Sequence, residues 1–127
     1  MKLLDTVVFV SALNPDERQH RTAVSHLRSL RSGQDVNVST STLTELDIVL
    51  RNNGYTRNEI FETWQALAPL IEGKLVATTP TAHQMAAMLR LGGMTYFDSL
   101  ITALAQERKA VVITRDSEVA KRVETEW

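Results

Sequence analysis

Four acidic residues have the type and placement that could support chemistry: Asp5, Glu45, Asp98 and Asp116. Each stands at the end of a predicted strand or in the first turn of a predicted helix. In an open parallel α/β sheet, the carboxyl ends of the strands meet at one edge, which is where ligands bind. Carboxylates that converge there repel one another and require protons or cations between them. The placement therefore predicts an acidic site at one edge of a sheet.

Helix capping is an alternative explanation for each acid taken singly, and the sequence leaves it open. Asp5 and Asp116 follow strands and could cap the helices that begin there. Glu45 and Asp98 each stand three residues after a threonine, so both could complete capping boxes. Capping does not explain why all four acids would lie on the same side of the sheet.

The rest of the composition limits which metal ion such a site would hold. The chain contains no cysteine, which excludes disulfides, zinc–thiolate sites and thiol nucleophiles. Its three histidines, His20, His26 and His83, fall in predicted helices away from the strand ends. Ligation of Mg²⁺ or Mn²⁺ by carboxylates and water is therefore the metal chemistry that the sequence supports best. Such ions activate water and neutralise phosphodiester charge, as in two-metal nucleases.

The elements that must position these acids are short strands that alternate with helices. Strands are predicted near residues 2–5, 36–39, 75–78 and 110–114. Helices are predicted to begin at Asn14-Pro15, Thr42, Thr56, Thr79-Pro80 and Thr95, with a last short helix after Asp116. Pro69 should end or bend the helix that contains it. The alternation predicts a layered α/β fold with a mainly parallel sheet and helices on both of its faces.

Length and composition are those of an ordinary globular protein. With 127 residues, of which 43% are hydrophobic and 23% charged, we expect a single domain over residues 1–127. No apolar run reaches the ~20 residues that span a bilayer. Asp5 interrupts the first apolar run too early for a secretory signal. We therefore expect a cytoplasmic protein that makes no membrane contact.

Net charge leaves nucleic acid open as a partner. The balance of −1, from 14 basic and 15 acidic residues, argues against a general polyanion-binding surface. If the four acids are set aside as metal ligands, 14 basic residues face 11 acidic ones, a balance of +3.

Four segments around these acids carry a family resemblance. In chain order they are Leu4-Asp5-Thr6, Thr44-Glu45-Leu46, Tyr96-Phe97-Asp98-Ser99-Leu100 and Val112-Ile113-Thr114-Arg115-Asp116. Each segment is a weak signal alone, but the ordered set spans nearly the whole chain and is specific. In these segments the sequence resembles the PIN-domain ribonucleases, in particular the VapC-type toxins of prokaryotic toxin–antitoxin pairs.

The resemblance implies a fold, an activity and partners. The fold would be a PIN-like three-layer α/β/α sandwich with the first strand at its centre. Asp5, Glu45, Asp98 and Asp116 would bind Mg²⁺ or Mn²⁺ and support hydrolysis of RNA, with Thr114 and Thr6 as accessory polar residues. Thr114 could equally be an ordinary β-branched strand residue. The implied partners are an RNA substrate, a small cognate antitoxin that occludes the site, and a second copy of the chain in a homodimer.

Two features depart from the family pattern. Val7 stands where many members carry a small polar residue two positions after the first aspartate, so one supporting hydrogen bond would be missing. The end of the chain at Trp127 leaves little room for the fifth strand that relatives often add. Arg115 is the basic residue nearest the predicted site, where it could contact a phosphate or remain a solvated side chain.

Two other functional classes compete with the nuclease. A non-catalytic PIN-like binding module would keep the fold as a scaffold for protein or RNA contacts. A phosphotransfer receiver domain also carries acids at strand ends. It requires an acid pair after the first strand and a lysine near the last, and the sequence has neither.

Overall fold

A parallel sheet of five strands forms the centre of the computed structural model, which describes residues 1–127. The strands are β1 (Lys2–Leu4), β2 (Val36–Ser39), β3 (Leu75–Val76), β4 (Val111–Ile113) and β5 (Thr125–Glu126). They lie in the order β3-β2-β1-β4-β5, and every neighbouring pair is parallel. The central position of the first strand agrees with the resemblance.

Seven helices connect the strands. They are α1 (Thr6–Leu13), α2 (His20–Arg28), α3 (Thr40–Asn52), α4 (Arg57–Ile71), α5 (Pro80–Leu91), α6 (Tyr96–Arg108) and α7 (Ser117–Ala120). A single 3₁₀ turn, Ser29–Arg31, follows α2. None of the helices has the length and apolar character needed to cross a membrane.

Alternation along the two inner strands produces two hydrophobic cores, one on each face of the sheet. Leu3 and Val112 pack on one face with residues of α5, α6 and α7. Leu4 and Ile113 pack on the other face with residues of α1, α2, α3 and α4. Full burial of each such side chain stabilises the fold by about 2 kcal/mol. A one-residue slip in the register of a strand would move its side chains to the opposite faces of the sheet. The predicted three-layer α/β/α sandwich is confirmed.

The fifth strand corrects the prediction of four. The backbone N–H of Val112 donates to Glu124 O (3.0 Å), and that of Thr114 donates to Glu126 O (2.9 Å). A strand of only two residues is sufficient here because the outer edge of β4 supplies its donors. Such a short strand also covers an edge that would otherwise present unpaired backbone groups.

The helix predicted to begin at Asn14-Pro15 is wrong in its start. Asn14 closes α1, and α2 begins only at His20. The Asn14 side chain accepts the backbone N–H two residues later (3.2 Å), and the Glu17 carboxylate accepts the N–H of Gln19 (2.7 Å). These local side-chain hydrogen bonds compete with the helix and produce turns instead.

Two further helix boundaries also differ from the predictions. The helix expected from Thr42 begins at Thr40, because the Ser39 hydroxyl accepts the Thr42 N–H (3.2 Å) and caps it. Pro69 does not end α4, which continues to Ile71. The predicted capping box at the start of α4 is confirmed, with Thr56 and Glu59 each accepting the other's backbone N–H.

Lys109 provides a test of how α6 ends. It adopts the left-handed conformation (φ 53°, ψ 43°) that closes the helix, where a side chain costs about 1 kcal/mol. Lys109→Gly should raise the free energy of unfolding by about 0.5–1 kcal/mol in chemical denaturation. Arg108→Gly, one residue earlier within the helix, should lower it by about 1 kcal/mol. Destabilisation by both variants would contradict this explanation.

Candidate active site

An open cavity of about 490 Å³ lies at the carboxyl edge of the sheet, over the ends of β1 and β4. It is lined by all six residues predicted for the site: Asp5, Thr6, Glu45, Asp98, Thr114 and Asp116. The other lining residues are Val7, Val10, Val49 and Arg115. Val7 therefore contributes an apolar wall at the position where a small polar residue was expected.

Asp5 is the acid held most firmly, at the junction of β1 and α1. Its side chain is only 7% exposed. One carboxylate oxygen accepts the Thr6 backbone N–H (2.8 Å), and the other accepts the Thr114 hydroxyl (2.6 Å). Asp5 thus caps α1 and lines the cavity at once, so capping does not exclude a role at the site. Burial raises the pKa of Asp5 and the charges of Asp98 and Asp116 add to the rise, while the two hydrogen bonds oppose it.

Glu45 does not complete a capping box. Because α3 begins at Thr40, Glu45 lies in the second turn rather than the first. Its Oε1 accepts a hydrogen bond from the hydroxyl of Thr6 on α1. Burial raises the pKa of Glu45, and the charges of Asp5, Asp98 and Asp116 raise it further, against the opposing Thr6 bond.

Asp98 stands at the third position of α6, as predicted, but the capping box is incomplete. The side chain of Thr95, the residue before the helix, makes no capping hydrogen bond. Burial raises the pKa of Asp98, the nearby Thr95 side chain opposes the rise, and the charges of Asp116 and Glu118 add to it. Asp98 is therefore positioned by the start of α6 and faces a negative neighbour across the cavity.

Asp116 lies three residues beyond the end of β4 and caps α7, as the capping explanation allowed. Its Oδ1 accepts the N–H groups of Glu118 (2.8 Å) and Val119 (3.0 Å). Both bonds go to the same carboxylate oxygen. The other oxygen, Oδ2, takes no part in the cap.

Thr114 connects the first acid to the last. Its hydroxyl donates to Asp5 Oδ2 (2.6 Å) and accepts the backbone N–H of Asp116 (3.0 Å). The side chain is 4% exposed. The hydroxyl therefore connects Asp5 to Asp116 from a position just after β4, and its accessory role in a functional site stays a prediction.

Arg115 is the only basic residue that lines the cavity, and it is not a freely solvated side chain. Its guanidinium donates to Ser11 Oγ (3.0 Å) and to Glu17 Oε1 (3.2 Å). It also lies over the ring of Trp127, 4.7 Å from the ring centre. Sequence reasoning missed the Glu17 and Ser11 partners, because separations of 98 and 104 residues leave no local pattern.

Trp127 is itself held in place. Its ring N–H donates to Gln19 Oε1 (3.0 Å), and its ring packs against His26 with centres 5.5 Å apart. The last residue of the chain therefore joins α2 and its preceding turn to the rim of the cavity.

The donor set fits a hard divalent cation in its chemistry. All four acids supply oxygen ligands, which Mg²⁺ and Mn²⁺ prefer. Three of them have raised pKa values. Their ionised forms are therefore disfavoured in the protein alone, and a nearby cation would favour those forms. No three acidic or histidine side chains are arranged as a ready ligand set for one ion. Ligation of one ion by three of these groups would therefore involve a change in side-chain orientation.

Comparisons with known proteins bear on the fold. The family model of the PIN domain matches residues 2–125. No match to the chain was found among curated protein sequences. Among solved structures, FitAcB from Neisseria gonorrhoeae is 28% identical with a TM-score of 0.75, over 98% of this chain and 96% of that chain.

More distant structures share the fold. VapBC2 from Rickettsia felis, bound to a promoter DNA fragment, is 17% identical with a TM-score of 0.75, over 99% of this chain and 98% of that chain. VapC20 from Mycobacterium tuberculosis, a sarcin-ricin loop cleaving toxin, is 15% identical with a TM-score of 0.71, over 95% and 94%.

Glu45→Gln tests whether the cavity carries uncompensated negative charge. The pKa of Glu45 is raised in the folded state above its ordinary value of 4.5. As the pH rises from about 4.5 through the raised pKa, the metal-free wild-type protein therefore loses stability, and the variant does not. Glutamine keeps an oxygen that can accept the Thr6 hydroxyl. In chelator at neutral pH we expect the variant to melt roughly 3 °C higher, with the difference shrinking near pH 4.

The control is Glu62→Gln, the same chemical change at an exposed position of α4. Thermal melts across the pH range should show no such divergence for it. A Glu45→Gln variant that is less stable than wild type at every pH would contradict the electrostatic description of the cavity.

Proposed function

The chain belongs to the PIN-domain family, and on that basis we propose that it is a Mg²⁺- or Mn²⁺-dependent endoribonuclease, the toxin of a toxin–antitoxin pair. The observation that carries the proposal is the gathering of Asp5, Glu45, Asp98 and Asp116 in one cavity from four separate parts of the chain. The description of VapC20 as a sarcin-ricin loop cleaving toxin supports a cleaving activity.

The proposed roles of the acids follow from their contacts. The four carboxylates would hold the cation, which when bound supplies an activated water and offsets phosphodiester charge. Asp5 is fixed in orientation, since the Thr6 N–H and the Thr114 hydroxyl each hold one of its oxygens. With Oε1 of Glu45 bonded to Thr6, its Oε2 would take a proton from the attacking water.

Arg115 would orient the RNA backbone at the rim of the cavity. Its contacts with Ser11, Glu17 and Trp127 fix the guanidinium plane. A guanidinium carries five N–H donors, so donors remain for a phosphate oxygen. Its pairing with Glu17, at 36% and 26% side-chain exposure, is the weak kind that a phosphate can replace.

The proposed protein partners are an antitoxin and a second copy of the chain. A small cognate antitoxin would silence the enzyme by covering the open carboxylate cavity. A homodimer would cover the apolar side chains of Met88 and Leu91, which are 66% and 89% exposed and lie three residues apart on α5. The FitAcB and VapBC2 structures, which share this fold and are complexes with antitoxins, support the expectation of an antitoxin partner.

A PIN-like module that binds RNA without cleaving it is the second candidate. The observation that favours it is the lack of a preformed set of three metal ligands. The two candidates separate on cleavage, because both predict RNA binding and only the nuclease predicts metal-dependent strand breaks.

Asp98→Asn tests the nuclease directly. The variant removes one ligand charge and keeps a side chain of the same shape, so it should fold as wild type does. Cleavage of single-stranded RNA in Mg²⁺ or Mn²⁺ should fall by at least about 100-fold, as expected for loss of a group that acts on the reacting centre. Chelator should abolish wild-type cleavage, measured by gel analysis of end-labelled RNA.

The matched control is Asp16→Asn, which makes the same change at an exposed turn outside the cavity. It should cleave at the wild-type rate. Full activity in Asp98→Asn, or cleavage that persists in chelator, would reject the proposed mechanism.

Arg115→Gln tests the phosphate contact. Measured by RNA binding in the Asp98→Asn background, where cleavage is blocked, the substitution should weaken affinity and lower the salt slope by about 0.7, the value for one single-strand phosphate contact. Arg51→Gln, at a 63%-exposed residue of α3 outside the cavity, serves as control and should leave the slope unchanged. If Arg115→Gln and the control gave the same salt slope of RNA affinity, the proposed contact between Arg115 and a phosphate would be wrong.

A further inference from the structure

A second pocket, of about 240 Å³, lies on the same carboxyl edge of the sheet as the acidic cavity. Thr40 follows β2, and Thr78 follows β3 by two residues, so this pocket stands over the ends of those two strands. The acidic cavity stands over β1 and β4. Because β2 is the direct neighbour of β1 and adjacent strands lie about 4.8 Å apart, the two openings are neighbours.

Consecutive residues on two helices connect the openings. On α3, Thr44 lines the second pocket and Glu45 lines the acidic cavity. On α6, Phe97 lines the second pocket and Asp98 lines the cavity. A polynucleotide with a phosphate at the acids therefore has its next nucleotide within reach of the second pocket.

The lining of the second pocket differs in chemistry from that of the cavity. It contains four hydroxyl residues (Thr40, Ser41, Thr44 and Thr78) and two aromatic residues, with no Asp, Glu, Lys or Arg. Hydroxyls both donate and accept hydrogen bonds, as base edges require. A lining with neither acidic nor basic side chains, apart from the exposed His83, suits a nucleobase better than a phosphate or a metal ion.

Tyr96 supplies a flat, exposed surface at this pocket. Its side chain is 52% exposed, and its ring stands edge-on to Phe97 with centres 5.2 Å apart. The guanidinium of Arg90 lies 4.9 Å from the Tyr96 ring centre and donates to Ser99 Oγ (2.9 Å). Ser99 in turn donates to the Tyr96 carbonyl (2.6 Å). The ring is thus braced from α5 while part of it remains open to a ligand.

We propose that this second pocket binds the base of the nucleotide next to the scissile phosphate, stacked on Tyr96 and hydrogen-bonded by hydroxyls such as that of Thr44. The inference rests on the proposed ribonuclease function and adds a base-recognition subsite to it. Single-stranded RNA is recognised in this manner, by aromatic stacking together with hydrogen bonds to base edges. The pocket is smaller than the usual range for drug-sized ligands, which fits a single base.

The test compares Tyr96→Leu, Tyr96→Phe and Thr44→Val with wild type on a single-stranded RNA library that contains all four bases at every position. Sequencing the cleaved ends gives the base preference on each side of the cut. Tyr96→Leu should raise KM about 10-fold with kcat within about 2-fold, as loss of one stacked base predicts. Tyr96→Phe should keep the wild-type KM, and Thr44→Val should flatten the base preference at one position.

The matched control is Phe61→Leu, which removes an aromatic ring of 64% exposure on α4 that lines neither opening. It should change neither KM nor base preference. Thermal melts and size-exclusion chromatography of every variant separate recognition from folding and from assembly.

The outcomes distinguish the subsite from the activity on which it rests. If wild type cleaves RNA and Tyr96→Leu keeps its KM and its preference, the subsite is overturned and the ribonuclease stands. If wild type does not cleave, the proposed function fails and the subsite fails with it. If Tyr96→Leu shifts the protein from dimer to monomer with an unchanged base preference, the ring is a contact between two copies and the subsite is overturned.

Discussion

The carboxylate of Asp5, buried at the end of the central strand, is the constraint around which the site is arranged. An isolated buried charge is costly, and it persists in folded proteins when hydrogen bonds or ions compensate it. Here the Thr6 N–H and the Thr114 hydroxyl each hold one oxygen. Burial still raises the pKa of Asp5, so the compensation by the protein is incomplete. In the proposed function, a divalent cation would supply the remainder.

The parallel sheet brings the other acids to the same place. Each strand of the order β3-β2-β1-β4-β5 ends at the same edge, and each following helix begins there. The chain therefore returns to this edge after every crossover, and residues far apart in sequence meet over β1 and β4. The alternation of Leu3 and Leu4 between two cores fixes the register of β1. That register determines where Asp5 emerges, so packing in the core and chemistry at the edge depend on the same three-residue strand.

The sequence was sufficient for the parts of this arrangement that depend on local patterns. Apolar runs located four strands, and the acids beside them marked the edge of the sheet. The helix start predicted at Asn14-Pro15 was misplaced, because the side chains that cap helices also stabilise turns. Only tertiary contacts decide whether a helix or a turn forms. The strand β5 was missed because two residues show no alternation. Capping was the wrong explanation for Glu45, since its actual partner, Thr6, is 39 residues away. The contacts of Arg115 with Ser11 and Trp127 and the bridge made by Thr114 could not be predicted either, because they join distant segments.

The most direct test of the account is anomalous X-ray diffraction from crystals of the wild-type protein soaked in Mn²⁺. We expect an anomalous peak in the acidic cavity, about 2.1 Å from a carboxylate oxygen of Asp5 and from at least one other of the four acids. Rotation of Asp98 or Asp116 toward the ion, away from the positions described above, is part of that prediction. A cavity without a peak at saturating Mn²⁺, or an ion bound only elsewhere on the protein, would contradict it.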